Sequence, residues 1–389
     1  MNFIPYGTQC IEEEEIEAVT DVLRSSYLTQ GPVTDVFEHT VASYCGVKEA
    51  VAVCNATAAL HLACKALDVQ PCDVVWTSPN TFVASANCAL YCGARIDFVD
   101  ICPETYNLSV DSLQEKLVIA EKNNCLPKVV IPVHFAGQSC DMKNIRQLAD
   151  KYGFKIIEDA SHAIGGRYLN QPIGTCEYSD ITVFSFHAVK VITTAEGGMC
   201  LTNNAELAEK IKRYRTHGIT RDASLMTKPS EGAWYYQQLD LGMNYRITEI
   251  QCALGIAQMK KLDKFIERRH HLAWQYYQAL KVLPITLPMM HEACYSAYHL
   301  YVVQVSEVGT CDRKQVFDYL RSKHIGVNVH YIPVHLQPYY AQYGFQEGDF
   351  PVAEAYYRRT LTLPLYPGLT ESQQTFVIKT LQEAIDGLV

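Results

Sequence analysis

A single lysine, Lys190, follows an apolar strand-like run and precedes a paired-glycine turn, in the order FSFHAVKVITTAEGG. Such a lysine could be an ordinary surface residue, or an amine held at the mouth of a pocket for covalent chemistry with a carbonyl compound. Ser185 lies in the same run, and a hydroxyl at that position could bind phosphate. These two groups would fit the two ends of a small phosphorylated aldehyde.

Other residue types suited to such a ligand also follow apolar runs. Asp159 comes after FKIIE, where a carboxylate either caps the next segment or faces a protonated ring nitrogen. In CNATAALHLA, Ala56 and Thr57 offer N–H groups and a hydroxyl at a helix start, where phosphate can bind, although a threonine there can also be a plain cap. Phe82 could stack on a ring or belong to the core. Pyridoxal phosphate needs all of these groups.

The elements that must position these residues alternate between strand and helix patterns. From Glu49 onward, the runs EAVAVC, DVVWTS, RIDFVD, KVVIPVHF, KIIEDA and ITVFSF are apolar and β-rich, and helical patterns separate most of them. Continuous apolar strands of this kind predict an α/β fold with a mostly parallel sheet covered on both faces. Because ligands bind outside the carboxyl ends of such strands, the residues after each run are the candidates for a site.

The pattern changes near Ile247. One long helical pattern, with a possible kink at Gly255, is followed by the strands HLYVVQV and VNVHYIPVH and by two further helices. We therefore expect a large ligand-binding domain with an N-terminal arm over residues 1–250, and a smaller α+β domain over residues 251–389.

Composition narrows the class of protein. The chain has 389 residues, and its formal net charge of −9 argues against a nucleic-acid partner. Fifteen cysteines are scattered singly, and neither a signal peptide nor a membrane-length apolar run is found. These features predict a cytoplasmic protein without disulfides and without a membrane partner.

Three segments resemble signature motifs of a known family: EDASHAIGG, FSFHAVKVITTAEGGM and LGMNYRITEIQCALG. They are similar to the DegT/DnrJ/EryC1/StrS nucleotide-sugar aminotransferases, in the fold type I class of pyridoxal phosphate enzymes. The resemblance runs from PYGTQCIEEEEIEAV to LTLPLYPGLT. It implies an aminotransferase. Three further stretches, YLTQGPVTDVFE, WYYQQLDLGMNYR and SAYHLYVV with VNVHYIPVHLQPYY, narrow the resemblance to the pseudaminic acid branch, whose members aminate the C4 ketone of UDP-4-keto-6-deoxy-L-AltNAc, with glutamate as the expected donor.

The resemblance also implies roles for individual residues. Lys190 falls on the Schiff-base lysine, Asp159 on the partner of the pyridine nitrogen, and His162 beside the ring hydroxyl. Phe82 matches the stacking aromatic. Phosphate-binding positions fall on Ala56, Thr57 and Ser185, and on Asn244, which would reach the site from the other subunit of a homodimer. Sugar-nucleotide binding is implied for Ala56, Ser185 and Asn244 as well, and for Tyr6, Ser26, Tyr27, Leu28, Thr29, Asn328, Val329, His330 and Tyr331.

Alternatives remain open. His330 and His335 could form a metal pair, but no carboxylate or cysteine is suitably spaced nearby, so we expect no metal. A related transaminase acting on a UDP-4-keto-pentose would share the FSFHA-x-K motif. Asn80, in SPNTF, stands where the family tends to have an apolar residue, and this departure leaves the sugar less defined than the reaction.

Two other classes are less compatible with the chain. A non-catalytic sensor with an aminotransferase-like domain would be expected to carry a DNA-binding module, and the first predicted helix begins at Glu12 without one. A nicotinamide dehydrogenase would need a G-x-G-x-x-G turn after its first strand, and CNATAAL has no glycine.

Overall fold

The computed structural model describes residues 3–305 and 312–387 and is dominated by a seven-stranded sheet. The strand order is β1-β9-β8-β5-β4-β2-β3, and six strands run parallel while β9 is antiparallel to both of its neighbours. The α/β class with a mostly parallel sheet is therefore confirmed. The strands are β1 Glu49–Val53, β2 Val74–Thr77, β3 Arg95–Phe98, β4 Val129–Ile131, β5 Lys155–Asp159, β6 Arg167–Tyr168, β7 Gln171–Pro172, β8 Ile181–Ser185, β9 Gly198–Thr202, β10 Ile219–Thr220, β11 Gln237–Gln238, β12 Ile285–Thr286, β13 Cys294–Tyr295, β14 Tyr301–Val305 and β15 Thr360–Leu363.

Helices cover the sheet on both faces. Along β1, Val51 and Val53 pack in the cluster that contains the helix after it, whereas Ala50 and Ala52 point to a separate cluster. The helices are α1 Glu13–Arg24, α2 Pro32–Cys45, α3 Ala56–Ala66, α4 Ala84–Tyr91, α5 Val110–Lys122, α6 Met142–Tyr152, α7 Ala205–Arg215, α8 Glu249–Met259, α9 Leu262–Leu280, α10 Arg313–Ser322, α11 Pro338–Ala341, α12 Pro351–Arg359 and α13 Glu371–Gly387. Among the described residues, none of these helices is long and apolar enough to cross a bilayer.

A second, smaller layer follows the large sheet. Three antiparallel strands in the order β12-β14-β15 pack with α9, α10 and α13 around their own apolar core. Ile4, near the start of the chain, is buried in this core, and its backbone pairs with Ile325. The N-terminal arm is thereby attached to the small α+β layer.

Two local predictions were wrong. The long helical pattern divides into α8 and α9 at Lys260 and Lys261, not at Gly255. Gly255 lies inside α8 and does not interrupt it. A Cβ at this position would lie 2.6 Å from the Phe37 ring, so the absence of a side chain lets α8 approach α2 closely. The segment VNVH forms no regular strand and pairs with β15 only through Asn328 and Thr362.

The domain boundary expected between residues 250 and 251 remains a proposal. That position lies within α8, and side chains up to Ile266 pack in the same cluster as Phe37 of the large domain. The small-domain cluster begins in this region of the chain with Leu272. We therefore expect the long helical segment to connect the two domains without a flexible linker.

Candidate active site

A pocket of about 620 Å³ lies at the carboxyl ends of the parallel strands, where sheets of this type bind ligands. It brings together seven of the large-domain residues singled out in the sequence, namely Ala56, Thr57, Phe82, Asp159, His162, Ser185 and Lys190. The N-terminal arm and the small domain contribute Tyr6, Asn328, Val329, His330 and Tyr331. The pocket is therefore built from parts that are far apart in the chain.

Five residues predicted to bind ligand do not line this pocket: Ser26, Tyr27, Leu28, Thr29 and Asn244. Tyr27 and Leu28 are exposed, and so is Asn244. The loop is fixed to the start of α8, because Thr29 pairs with Thr248 and the Glu249 N–H donates to the Leu28 carbonyl at 3.0 Å. Both segments thus lie on the exposed surface around the start of α8.

Asp159 ends β5 and is buried. Its Oδ1 accepts hydrogen bonds from the backbone N–H and the hydroxyl of Ser161 at 3.1 and 2.5 Å. Its Oδ2 accepts from the Ser85 hydroxyl at 2.6 Å. The carboxylate is therefore not a helix cap. It is held at the floor of the pocket by Ser161 and Ser85, where a cationic ligand group could meet it.

Lys190 lies in the loop that connects the antiparallel pair β8 and β9, and its backbone N–H donates to the His187 carbonyl at 2.9 Å. Burial lowers the pKa of the Lys190 amine to about 8, and the negative charge of Asp159 opposes part of that shift. A lysine in this state is partly neutral near neutral pH, so its nitrogen can act as a nucleophile or as a base.

The first turn of α3 forms the polar end of the pocket. The Asn55 side chain caps the helix by accepting from the Ala58 N–H at 2.8 Å, so the Thr57 hydroxyl is not the cap. A Cβ on Gly198 would lie 2.6 Å from the Ala56 nitrogen, so glycine is needed where β9 passes the turn. Ser185, at the end of β8, lines the same region. Helix N–H groups and two hydroxyls make this end suited to a phosphate.

Phe82 is not a core residue. Its side chain is 58% exposed although it lines the pocket, and its ring centroid lies 6.3 Å from that of Tyr331. An exposed aromatic face at a pocket rim is available to cover a flat ligand.

The small-domain side of the pocket is neutral. His330 binds Thr362 through Nδ1 at 2.8 Å, and burial together with the charge of Lys190 lowers its pKa to about 3. Burial raises the pKa of the Tyr6 hydroxyl, and a hydrogen bond with Asn328 opposes this shift. His335 pairs instead with Glu354, and no group of His, Cys, Asp and Glu in residues 3–305 and 312–387 is arranged to hold a metal.

His162 and Tyr331 connect the two sides of the pocket. The Ala136 N–H donates to His162 Nδ1 at 3.3 Å, so the neutral ring carries its proton on Nε2. His162 Nε2 lies 3.1 Å from the Tyr331 hydroxyl and donates to it. Burial and the charge of Lys190 hold the pKa of His162 well below its ordinary value, so the ring stays neutral. The Tyr331 proton is consequently left to donate to a ligand.

Several pocket residues were missed from the sequence, among them Thr81, Ser85, Ser161, His187, Glu196 and His299. Ser161 could have been found, because it follows Asp159 by two positions in a signature segment. Ser85 gave no signal, since a serine in the first turn of a helix usually serves the local backbone. His299 reaches the pocket from the small domain, with its ring centroid 4.5 Å from that of His162.

The chain belongs to the DegT/DnrJ/EryC1/StrS aminotransferase family, whose model matches residues 9–382. It is an aminotransferase by that membership. The spore coat polysaccharide biosynthesis protein SpsC of Bacillus subtilis is 40% identical over 99% of this chain and 98% of its own length.

Two further proteins are similar over nearly the whole chain. The UDP-4-amino-4,6-dideoxy-N-acetyl-beta-L-altrosamine transaminase of Campylobacter jejuni is 36% identical, over 97% of this chain and 96% of its own. The putative sugar aminotransferase Spr1654 of Streptococcus pneumoniae, solved in its PLP-form, has a TM-score of 0.89 at 29% identity and covers 100% of both chains.

Proposed function

We propose that this chain uses pyridoxal phosphate to move an amino group from glutamate to the C4 ketone of UDP-4-keto-6-deoxy-L-AltNAc, a UDP-linked 4-keto-6-deoxy-N-acetylhexosamine. The observation that carries the proposal is the pairing, in one pocket, of a lysine whose pKa is lowered to about 8 with a buried carboxylate, Asp159. The name of the Campylobacter jejuni relative supports the choice of sugar. The same sequence resemblance indicates the pseudaminic acid pathway.

The residues of the pocket fit this cofactor. The first turn of α3, with Thr57 and Ser185, offers donors for its phosphate, and the exposed Phe82 ring offers a surface for the pyridine ring. Asp159 accepts three hydrogen bonds from the protein, and a carboxylate can accept about four, so one position is left for a ring N–H. Bound pyridoxal phosphate supplies a reactive carbonyl carbon and a ring that accepts electrons from a breaking C–H bond.

The chain's own groups would then perform the proton chemistry. Lys190 would hold the carbonyl carbon at rest and, once displaced by the amino donor, remove the donor's α-proton with its neutral amine. Because its pKa is about 8, the amine can both accept this proton and return it. Asp159 would keep the ring nitrogen protonated. On the sugar half of the reaction, the Tyr331 O–H would donate to a ligand oxygen.

The cofactor assignment is tested by the visible absorption spectrum of the purified protein with added pyridoxal phosphate. We expect a band that bleaches when glutamate is added, and a Lys190→Ala variant that shows no such donor-dependent turnover. Recovery of the band by UDP-4-keto-6-deoxy-L-AltNAc, compared with UDP-4-keto-L-arabinose, tests the sugar. A wild-type protein that stays colourless would overturn the assignment.

A different UDP-sugar is the second candidate. SpsC, named for spore coat polysaccharide, is more similar at 40% than the altrosamine transaminase at 36%. If the keto-pentose restores the band faster, or if neither sugar restores it, the assignment would move to another nucleotide sugar. The aminotransferase chemistry would stay in place.

We further propose a homodimer whose two subunits share each site. In the described part of the chain, Lys190 is the only lysine or arginine that lines the pocket, although the proposed substrate carries a diphosphate. Asn244 and the exposed Tyr27 and Leu28 lie outside their own pocket, around the start of α8. A second copy of the chain would bring these residues to the pocket of its neighbour.

Mixing two inactive variants tests the shared site. In an equal mixture of refolded Lys190→Ala and Asn244→Asp chains, half of the dimers are mixed, and one of their two sites would be intact. About a quarter of the wild-type activity should therefore return if subunits assemble at random. If each site belongs to one chain, every site carries a substitution and no activity returns.

A further inference from the structure

The hydrogen bonds around Asp159 divide unequally between its two oxygens. Oδ1 has two donors, both from Ser161, and one of them is a backbone N–H that no side-chain substitution removes. Oδ2 has one donor in the described part of the chain, the Ser85 hydroxyl at 2.6 Å. Loss of Ser85 would therefore free one whole side of the carboxylate.

The direction of these hydrogen bonds is fixed by proton counting. A carboxylate only accepts, so the single proton of the Ser85 hydroxyl is used on Asp159. The Thr81 hydroxyl lies 2.8 Å from the Ser85 oxygen, and its own proton must then point to Ser85. Thr81, Ser85 and Asp159 form a chain of donors that ends on the carboxylate, and each bond in such a chain strengthens the next.

This arrangement is not the usual one for a serine in the first turn of a helix. There the hydroxyl commonly bonds to a backbone group of the same turn. Ser85 instead bonds to a side chain 74 positions away in the sequence. Both side chains, Ser85 and Thr81, are buried, so their hydroxyl protons are donated within the protein and not to water.

We propose that Ser85, supported by Thr81, is a positioning residue that holds the Asp159 carboxylate oriented toward the ring nitrogen of the cofactor. The proposal rests on the proposed function, because it assigns Asp159 to that nitrogen. A hydrogen bond to the charged form of a carboxylate favours that form, so the proton of the pair stays on the ring rather than on Asp159.

The position of Ser85 also couples two parts of the site. Phe82 precedes Ser85 by one helical turn, and the Ser85 N–H donates to the Phe82 carbonyl at 3.2 Å. The start of α4 therefore presents both the aromatic surface and the group that orients the carboxylate. A shift of this turn would change both the stacking of Phe82 on the cofactor ring and the position of Asp159 at the ring nitrogen.

Two variants and one control test the proposal. Ser85→Ala removes the donor to Asp159, and Thr81→Val removes only the donor to Ser85 while keeping the shape of the side chain. Thr77→Val is the matched control, because its buried hydroxyl bonds the Ile131 carbonyl at 2.8 Å and not the pocket. All three are compared as holoenzyme, without amino donor, for the dissociation constant of pyridoxal phosphate and for the pH titration of the visible band.

We expect Ser85→Ala to weaken cofactor binding roughly ten- to hundredfold, the range for a hydrogen bond to a charged group. Its visible band should titrate at a different pH from the wild type. Thr81→Val should shift both measurements in the same direction by less, and Thr77→Val should shift neither.

A Ser85→Ala protein with the affinity and titration of the control would overturn the proposal, and Ser85 would then be a structural hydroxyl. If Ser85→Ala does not fold, the Thr81→Val result decides in the same way. A wild-type protein without any band would instead reject the proposed function, so the two failures are distinguishable.

Discussion

The pocket has two sides that differ in charge. The large-domain side carries Asp159, which is buried, and Lys190, whose pKa burial lowers to about 8. The small-domain side presents Asn328, His330 and Tyr331, and burial keeps His330 neutral with a pKa of about 3. Under the proposed function, proton chemistry would belong to the large domain, while the small domain would orient a ligand through neutral hydrogen bonds.

The two sides also differ in how they are built. Asp159 and Ser185 stand at the ends of central strands, whose ladders fix their backbones, and Lys190 follows in the loop from β8 to β9. Asn328 to Tyr331 form an irregular segment that is held by hydrogen bonds to separate parts of the chain, such as the backbone pairing of Asn328 with Thr362 and the Tyr331 N–H donating to Asn80. The ionisable groups thus lie at or just beyond the ends of sheet strands, whereas the neutral groups lie on irregular backbone.

The largest expected effect comes from Lys190→Met, which removes the charge and keeps most of the volume. Turnover should fall by about four orders of magnitude or more, because nucleophile and base are lost together. The apoprotein should become more stable by about 2 kcal/mol at pH 7, a value discounted because the side chain opens onto the pocket. Thermal unfolding of both apoproteins measures this gain.

The pH dependence of that gain has a defined sign. The pKa of Lys190 is about 8 in the folded protein and ordinary in the unfolded chain, so the unfolded state binds the proton more tightly. The protonated lysine thus destabilises the fold below pH 8, and its cost fades as the pH rises toward about 10.4. The difference between wild type and variant should shrink over this range, and a constant difference would contradict the lowered pKa.

An intermediate effect is expected for Tyr331→Phe, which tests whether the neutral side donates a hydrogen bond. Loss of the O–H should lower kcat/KM about ten- to hundredfold. His162→Phe should have a similar effect, because His162 directs the Tyr331 proton into the pocket. The double variant should be little worse than either single one. Additive losses would show that His162 acts on the ligand independently of Tyr331.

The smallest effect is expected for Asn80→Leu. Asn80 is buried, its amide donates to the Tyr106 carbonyl, and its Oδ1 accepts from the Tyr331 N–H at 3.3 Å. Leucine would leave that N–H without its partner and loosen the small-domain side, so KM for the sugar should rise by about tenfold or less. Cofactor affinity should not change. A loss of cofactor affinity would mean that the two sides are not separable.

Local strand patterns gave the candidates on the charged side of the pocket, whereas those on the neutral side came from the family resemblance. Asp159, Ser185 and Lys190 lie at or just after the ends of apolar runs, and parallel strands bring their carboxyl ends to one edge, so local patterns marked them as candidates without deciding their roles. The same reasoning could not decide whether Phe82 belongs to the core or faces a ligand. Its 58% exposure in the structure shows that it is not a core residue. The break between α8 and α9 was misplaced, because both halves share one helical period.

Residue types and their order along the chain determined the class of fold, the family and the groups that can do chemistry, because strand and helix periodicity are local properties. Only the tertiary structure decided that Ser85 donates to Asp159, that Tyr331 meets His162, and that Asn244 lies outside its own pocket. These contacts join segments far apart in the sequence. Their geometry depends on how helices and strands pack against one another, which no single segment specifies.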